Sequence, residues 1–482
     1  MNFFETVWPY LIFVFFTSLA VVASAHVVLT KRDSRAAIGW VGIIWLTPMI
    51  GTALYVMFGV NRIHRRARSR LKGKGPRPGG GAAQPVPDDV LQRILGEEAE
   101  HLRALTQYVG RVTGLPLLDG NRITPLVGGQ ATYGRMLAAI AAAKESVGLM
   151  TYIFDNDDLG HRFVDALAKA QERGVQVRVL IDDVGARYTI PTIKSALRKH
   201  GVRYSTFLPT LIPGKLHYTN LRNHRKIMVV DGKIGFTGGM NLRQGHLCEP
   251  GARKPVEDLH FQVEGPVVSQ LRDTFALDWE FSTTERLDGL AWFPPIEPCG
   301  QTVCRGVPDG PDVDTDKLLL SLLGAIGCAR TSLYIVTPYF LPEQPLITAL
   351  TVAAMRGVAV HIILPEKSNL ALVQWASTAQ LWQVLQRGCR VWLTPPPFDH
   401  SKIMVVDGIW SFIGSANWDA RSLRLNFEFN VECYDRELAA KLASLVGDKR
   451  SRGREITLAD VDARPVWMRL RDGICRLALP YL

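Results

Sequence analysis

The chain has 482 residues, of which 47% are hydrophobic and 21% are charged, and its formal net charge is +11. This length predicts two or three domains of roughly 150 residues, and the apolar content excludes a disordered chain. The mean hydropathy of +0.07 is high for a soluble enzyme. The longest apolar runs and the excess of positive charge both lie near the N-terminus.

Two apolar runs open the chain. Residues 6–29 and residues 36–60 contain no Asp, Glu, Lys or Arg. A helix over either run reaches about 36 Å, enough to cross a hydrocarbon core of about 30 Å. A cleaved signal peptide is the alternative, but the first run lacks a basic start and a second run follows it. The pattern predicts two transmembrane helices within residues 1–60.

A basic segment follows the second run. Residues 61–87 contain eight Lys and Arg and no acidic residue, whereas the predicted loop at 31–35 contains three basic residues. By the positive-inside rule, this excess predicts a cytoplasmic N-terminus and a cytoplasmic C-terminal body. The segment would also attract anionic headgroups, and its second half is a Pro/Gly-rich linker. Residues 88–482 carry only the remaining +2, which disfavours nucleic acid as a partner.

The body of the chain is duplicated. Apolar strands alternate with helices that end at Gly, in the same order twice. The clearest copies are HRKIMVVDGKIGFTGGMN at 224–241 and HSKIMVVDGIWSFIGSAN at 400–417. A repeat of about 180 residues is too long for a solenoid. The sequence predicts an α/β fold of two similar lobes, residues 88–300 and 301–482, each a mixed sheet flanked by helices.

Each copy carries a His, a Lys and an Asn. His224 and Lys226 are two residues apart and therefore share one face of a strand. Asp231-Gly232 predicts a two-residue hairpin turn that pairs position 230 with 233, puts Gly239 opposite His224 and returns Asn241 to the same face. The second copy repeats the set with His400, Lys402, Ser415 and Asn417.

The aspartates of the two copies are separated from the histidines by strand length. Along a straight strand, Asp231 lies roughly 23 Å from His224, and Asp407 is equally far from His400. This distance indicates turn formers rather than catalytic acids.

A cluster of His, Lys and Asn suits an anionic, tetrahedral ligand. Lysine supplies charge, asparagine donates hydrogen bonds, and histidine can attack or transfer a proton near neutral pH. No metal or cofactor is expected, because the lysines already supply positive charge. One copy could be a packed histidine, whereas two copies at equivalent places favour function.

The paired blocks resemble the HxKx4Dx6GSxN signature of the phospholipase D superfamily, with Gly239 replacing the Ser of the first copy. The resemblance implies that both lobes form one phosphodiester site, in which one His becomes a phosphohistidine and the other acts as acid and then base. The implied catalytic set is His224, Lys226, Asp231, His400, Lys402 and Asp407, with Asn241, Asn417 and Ser415 on the substrate phosphate.

Within that superfamily, the chain is similar to bacterial cardiolipin synthases over nearly its whole length. The segments that carry this likeness are RAAIGWVGIIWLTPMIGTALYVMFG at 35–59 and RSLRLNFEFNVE at 421–432. The likeness implies transfer of a phosphatidyl group from one phosphatidylglycerol to another, with release of glycerol. It also implies that Asp258 and Glu428 orient the histidines and that His224 is the nucleophile.

Other functions use the same chemistry. The enzymatic alternatives are a hydrolase that uses water, another phosphatidyltransferase with phosphatidylethanolamine or CDP-diacylglycerol as donor, and a membrane-anchored nuclease. The non-enzymatic alternative is an inactive scaffold. The preferred function implies phosphatidylglycerol and anionic membrane lipids as partners. It also implies a multi-pass protein of the bacterial inner membrane, and a homo-oligomer is compatible with the sequence.

Overall fold

The computed structural model describes residues 3–31, 34–59, 86–209, 221–249, 254–310 and 316–477. This part of the chain forms two compact units, an N-terminal unit within residues 3–59 and a body within residues 86–477. Of the basic segment predicted at 61–87, only residues 86 and 87 lie within the described residues.

The N-terminal unit consists of α1 (Phe3–Thr30), α2 (Ser34–Leu46) and α3 (Pro48–Leu54). Small and apolar side chains hold these helices together in one buried cluster that includes Ala20, Val27 and Ile44. Among the described residues, α1 is the one helix long and apolar enough to cross a membrane, with a mean hydropathy of 2.3 over Val7–Thr30.

The second apolar run is not a second spanning helix, so the prediction of two spans is wrong for the described chain. The helix is interrupted at Thr47, where φ is −140° and ψ is 73°, and it resumes at Pro48. Proline has no N–H to donate to the preceding turn, and its ring clashes with it. The resulting helical stretches are residues 34–46 and residues 48–59, the second ending in a π-helical segment at Tyr55–Gly59. Each is at most about 20 Å long and so is short of the hydrocarbon core.

The body contains nineteen strands among its described residues. In chain order they are β1 (Leu118–Val127), β2 (Ser146–Thr151), β3 (Gln176–Asp182), β4 (Tyr204–Phe207), β5 (Ile227–Val230), β6 (Ile234–Gly238), β7 (Val256–Glu257), β8 (Leu259–Glu264), β9 (Thr302–Asp309), β10 (Ser332–Val336), β11 (Phe340–Leu341), β12 (Ala359–Pro365), β13 (Arg390–Thr394), β14 (Phe398–Asp399), β15 (Ile403–Val406), β16 (Trp410–Gly414), β17 (Trp418–Asp419), β18 (Glu428–Tyr434) and β19 (Arg454–Ile456).

Fifteen of these strands form one sheet with a repeated order. Strands β1 and β9 meet antiparallel at its centre. Outward from the centre, the first lobe runs β1-β8-β6-β5-β2-β3-β4 and the second runs β9-β18-β16-β15-β10-β12-β13, with β19 at the edge. The two lobes therefore share one topology and join edge to edge. Each is mixed, since β2 pairs parallel with β3 and antiparallel with β5, which confirms the predicted α/β class.

Helices cover both lobes. They are α4 (Asp88–Leu95), α5 (Arg103–Thr113), α6 (Gly128–Ala142), α7 (Asp158–Glu172), α8 (Lys194–Lys199), α9 (Val268–Thr283), α10 (Lys317–Cys328), α11 (Gln344–Met355), α12 (Ala371–Thr378), α13 (Leu381–Leu385), α14 (Ala420–Arg424), α15 (Arg436–Arg452), α16 (Leu458–Asp462) and α17 (Val466–Leu477). Leu95 on α4 and Leu105 on α5 are buried with Leu318 and Val360 of the second lobe. The packing at residues 88–113 thus differs from the predicted first lobe of 88–300.

The hairpin in each repeated block differs from the prediction by one residue. Asp231 and Gly232 both have positive φ, 50° and 60°, and the Lys233 N–H donates to the Val230 carbonyl at 3.0 Å, as in a two-residue turn. However, Val230 pairs with Ile234, so Lys233 is an extra, bulged residue. The predicted pairing of 230 with 233 is therefore wrong, and Gly239 does not lie opposite His224.

Candidate active site

The segment that carries each histidine crosses to the other lobe. The His224 N–H donates to the carbonyl of Phe427 at 2.9 Å, and the His400 N–H donates to the carbonyl of Glu257 at 2.7 Å. The second contact continues the short parallel pairing of β14 with β7. Both histidines are therefore placed by backbone hydrogen bonds to the opposite half of the duplication.

These crossings bring each imidazole to a carboxylate from the other lobe. Nδ1 of His224 lies 2.9 Å from Oε1 of Glu428, and Nδ1 of His400 lies 2.7 Å from Oδ2 of Asp258. Asp258 and Glu428 occupy equivalent places, each two residues before the strand residue that pairs with Gly238 or Gly414. A carboxylate on Nδ1 favours the tautomer whose Nε2 carries the free lone pair.

Burial and neighbouring cations set the charge of the histidines. Both side chains are buried, and this burial lowers the pKa of His224 and lowers that of His400 well below its usual value. Lys402 also lowers both pKa values, and Lys226 and His224 act on His400 as well. These mutual effects indicate that both copies belong to one electrostatic site, in which neutral imidazoles predominate at neutral pH.

The pKa values of the two carboxylates are shifted in opposite directions. Burial acts to raise the pKa of Glu428, but His224, Lys226 and the Ser415 hydroxyl outweigh it and lower the pKa. For Asp258, burial prevails over the opposing effect of Lys402, and the pKa is raised. The surroundings of Glu428 thus favour its ionised form, whereas those of Asp258 oppose ionisation.

The two lysines are buried beside the histidines. Nζ of Lys226 donates to the His224 carbonyl at 2.6 Å, and Nζ of Lys402 lies 3.0 Å from Nδ1 of His400. Burial lowers the pKa of Lys226 to about 7 and that of Lys402 to about 8. An anionic ligand at either ammonium would favour its charged form.

The two asparagines are buried but differ in their contacts. Oδ1 of Asn241 accepts a hydrogen bond from the Ile153 N–H at 3.0 Å, which leaves its NH2 group as the donor end. The side chain of Asn417 instead bonds to Asp419, the N-cap of α14. Its Oδ1 has no hydrogen-bond partner within the described chain.

Ser415 is not at the place predicted for a phosphate ligand. Its hydroxyl is fully buried and donates to Oε2 of Glu428 at 2.5 Å, and it also accepts from the Phe429 N–H. Gly239 occupies the equivalent place beside Asp258, where an added Cβ would lie 2.2 Å from Oδ1. Both positions therefore contact the carboxylates that hold the histidines, because the hairpin register shifts them away from the imidazoles.

Asp231 and Asp407 anchor the hairpin turns. The Asp231 carboxylate accepts from the N–H groups of residues 144–146 at 2.8–3.1 Å. Asp407 accepts from the N–H groups of residues 330–332 at 2.8–2.9 Å and lies 2.8 Å from Nε2 of His101. These contacts contradict the place of the aspartates in the implied catalytic set and agree with the strand-length argument for turn formers.

Two tyrosines flank the imidazoles. The ring of Tyr152 lies edge-on to His224 with centroids 5.3 Å apart, and the ring of Tyr339 lies edge-on to His400 at 6.2 Å. In the sequence, each tyrosine lies within a TxxF segment at the end of β2 or β10, and this repeat is the signal that could have indicated a shared role for the two side chains.

Arg225 ties the first histidine segment to the second lobe, and sequence reasoning missed it. Its guanidinium bonds both oxygens of Asp278 at 2.7–2.8 Å, and it donates to the carbonyls of Glu428 and Asp309. The second copy has Ser401 at this position, so comparison of the two blocks gave no signal for the contact.

Comparison with known proteins gives two family matches. The profile described as "Cardiolipin synthase, PLD-like domain" matches residues 136–279 and 322–447, one range within each lobe, and a "Phospholipase_D-nuclease N-terminal" profile matches residues 18–59. Cardiolipin synthase A of Pseudomonas putida strain GB-1 is 32% identical over 464 residues, 96% of either chain. The chain belongs to the cardiolipin synthase family of phospholipase D-like proteins.

One further relative and one solved structure also match the chain. The major cardiolipin synthase of Bacillus subtilis strain 168 is 30% identical over 471 residues, 94% of this chain and 95% of the relative. The crystal structure of phosphatidylserine synthase from Haemophilus influenzae Rd KW20 covers 79% of this chain and all of its own, with 14% identity and a TM-score of 0.61. That second likeness concerns the fold alone.

Proposed function

We propose that the protein is a cardiolipin synthase that transfers the phosphatidyl group of one phosphatidylglycerol to the terminal hydroxyl of another. The observation that carries this proposal is the reciprocal pairing of His224 with Glu428 and of His400 with Asp258. It provides two imidazoles that use Nδ1 rather than Nε2 for their hydrogen bonds, with two lysine side chains in the same buried site. Such a site suits a two-step displacement at an anionic phosphorus.

In the first step, Nε2 of His224 attacks the phosphorus of phosphatidylglycerol. The bond from phosphorus to the glycerol oxygen breaks, and protonated His400 gives its proton to that oxygen, so that glycerol leaves. The negative charge of the bound phosphodiester raises the pKa of His400 and thereby supports its protonated form. Lys226 and Lys402 stabilise the charge that develops on the phosphoryl oxygens, together with the NH2 group of Asn241.

In the second step, neutral His400 takes the proton of the terminal hydroxyl of a second phosphatidylglycerol. The resulting oxygen attacks phosphorus, the phosphorus–nitrogen bond to His224 breaks, and cardiolipin leaves. Both histidines return to their initial protonation states, so the cycle needs no further reactant.

The charge of the carboxylates supports His224 as the nucleophile. Glu428 has a lowered pKa, and an ionised carboxylate on Nδ1 makes Nε2 more electron-rich and stabilises the positively charged phosphohistidine. Asp258 has a raised pKa and offers His400 less of this support. The absence of a metal or cofactor from the reaction stays a prediction, as do self-association and the exclusion of nucleic acid.

The product decides between transferase and hydrolase. The purified full chain is incubated with phosphatidylglycerol in mixed micelles, and lipids and glycerol are measured by mass spectrometry. Equal amounts of cardiolipin and glycerol are expected. Phosphatidic acid without cardiolipin would assign a hydrolase instead, and cardiolipin that forms only after addition of phosphatidylethanolamine or CDP-diacylglycerol would change the donor.

We also infer that α1 anchors the protein in the bacterial cytoplasmic membrane with the body on the cytoplasmic side. Since α1 is the one candidate span among the described residues, this places the N-terminus on the opposite side and replaces the predicted multi-pass topology. The eight basic residues of segment 61–87 support this orientation. Cys248, an exposed thiol of the body, provides the test. A membrane-impermeant thiol reagent should label it in lysed cells but not in intact spheroplasts, with Cys248→Ser as control. Labelling in intact spheroplasts would reverse the orientation.

A further inference from the structure

The last helix of the body, α17, is attached by one face only. On that face, Asp472 is fully buried and is held by Arg464 and Arg471, and the Arg471 guanidinium lies 4.1 Å from the ring of Trp375. Cys475 packs against the buried cluster that contains Val373 and Ala376 of α12. The helix is thus a fixed part of the second lobe.

The opposite face of α17 is apolar and exposed. Its five side chains are each 59–78% exposed and are Val466, Trp467, Leu470, Ile474 and Leu477. At 100° per residue they fall within a stripe about 100° wide. Leu370 and Leu372 at the start of α12 are also exposed, at 50% and 54%. Clustered exposed apolar side chains of this kind mark an interaction surface rather than chance exposure.

Positive charge borders the stripe on both sides. On the helical wheel, Arg471 lies about 40° beyond one edge, and Arg469 and Arg476 lie about 60° to 80° beyond the other. Asp472 is the one acidic residue of α17, and it is already neutralised in the buried face. Asp462, which lies 3.8 Å from Arg469, is itself 57% exposed and outside the helix.

This pattern matches the chemistry of an anionic bilayer surface. Apolar side chains enter the boundary of the acyl chains, an indole such as that of Trp467 lies at headgroup level, and Arg469 and Arg476 extend to phosphate, whereas Arg471 stays on Asp472. A second protein chain would also cover apolar residues, but it offers no reason for the excess of three arginines over one aspartate on this helix.

The surface is connected with the active site. Tyr339 packs in the same cluster as Cys475 and Val373, and its ring is the one that lies against His400. Tyr339 also lines a cavity of about 400 Å³ together with Val373 and Arg464. A membrane against α17 would therefore lie against the part of the second lobe that also holds Tyr339 beside His400.

We propose that α17 and the start of α12 form a docking surface for an anionic membrane, separate from the N-terminal span. The surface holds the second lobe against the bilayer, so that His400 meets lipid substrate from that side. The docking itself does not depend on which headgroup reaction the site performs.

Photocrosslinking tests the contact directly. A photoreactive amino acid replaces Leu470 in the full chain, reconstituted in vesicles of phosphatidylglycerol and phosphatidylcholine. The same residue at Lys441, 58% exposed on α15, is the control. Lipid adducts are expected at 470 and not at 441. Adducts to a second protein chain at 470 would assign the surface to self-association and overturn the proposal, as would equal lipid adducts at both positions.

Turnover of two kinds of substrate distinguishes a loss of docking from a loss of folding. Leu470→Glu with Ile474→Glu should lower cardiolipin formation on vesicles at least about fivefold, yet leave turnover of monomeric short-chain phosphatidylglycerol within about twofold. Leu290→Glu changes a leucine that is 72% exposed elsewhere in the body and should leave both rates unchanged. Unchanged vesicle turnover in the double variant would refute docking. A wild-type chain that forms lipid adducts but no cardiolipin would refute the proposed function and leave docking intact.

Discussion

The two halves of the active site differ in the residues that position each histidine. In one half, Ser415 donates to Glu428, which holds His224. In the other half, Gly239 has no side chain and leaves room for Asp258, which holds His400. The first carboxylate has a lowered pKa and the second a raised one. A duplicated scaffold thus holds two histidines in like geometry but in different electrostatic surroundings, as the proposed nucleophile and the proposed acid–base group require.

Removal of either histidine is expected to have the largest effect on activity. His224→Ala and His400→Ala should each lower cardiolipin formation by about 10³-fold to 10⁴-fold, because each removes a reacting group. The two variants differ in the trapped species. With phosphatidylglycerol labelled in its phosphate, His400→Ala should accumulate label on the protein at His224, measured by peptide mass spectrometry, and His224→Ala should accumulate none. Label on His400 in the His224→Ala variant would exchange the two roles.

Gly239→Ser makes the two half-sites alike at one position. The new Cβ would lie 2.2 Å from Oδ1 of Asp258 and should displace that carboxylate from His400. Loss of a carboxylate that orients a histidine typically costs about 10-fold to 100-fold in activity, and we expect kcat to fall by this amount with little change in KM.

Ser415→Gly is the matched control for that variant. It removes one hydroxyl from Glu428 without a clash, and we expect a loss of about fivefold, corresponding to about 1 kcal/mol for one hydrogen bond. A Gly239→Ser variant with wild-type kcat would show that the close approach of Gly239 and Asp258 has no role in turnover.

The two lysines differ in pKa, so their contributions to substrate binding can be distinguished by the dependence of KM on pH. As pH rises through about 7 and then about 8, Lys226 and then Lys402 lose their protons, and the KM for the anionic lipid should rise about tenfold. Arginine stays charged, so Lys226→Arg should delay the rise to about pH 8, whereas Lys402→Arg should leave it near pH 7. The histidines titrate below this window, since burial lowers their pKa values. A KM that stays constant from pH 6 to pH 9 would contradict the assignment.

The smallest effect on turnover is expected for the aspartates of the hairpin turns. Asp231→Asn and Asp407→Asn should each change kcat by less than about twofold yet lower the free energy of unfolding by about 1–3 kcal/mol, because each weakens three backbone hydrogen bonds. Asp407→Asn should cost more, since His101 also contacts this carboxylate. Thermal unfolding of the full chain measures both effects. A large loss of kcat with unchanged stability would restore the aspartates to the catalytic set.

Much of the site could be predicted from the sequence because the duplication repeats it. Two copies of His, Lys and Asn at one spacing predicted a functional cluster, and the period of two along a strand placed His and Lys together. That both copies share one site was implied by the family resemblance. The orienting carboxylates Asp258 and Glu428 followed from the family resemblance. The exchange between lobes did not follow from spacing, because hydrogen bonds such as that from His224 to Phe427 join residues about 200 positions apart.

The errors have local causes. One bulged residue in each hairpin, Lys233 in the first block and Ile409 in the second, shifts the register, and Ser415 contacts Glu428. Pro48 divides an apolar run that composition alone predicts as one helix. Arg225 was missed because its partners, Asp278 and the Glu428 carbonyl, come together only in the folded body.

The exchange of carboxylates has a consequence for how such a chain can change over time. An isolated copy of either half would hold a histidine without its carboxylate and a carboxylate without its histidine. A mutation at Asp258 in the first half is therefore felt at His400 in the second, and a mutation at Glu428 is felt at His224. The two copies of the duplication therefore cannot diverge independently at these four positions.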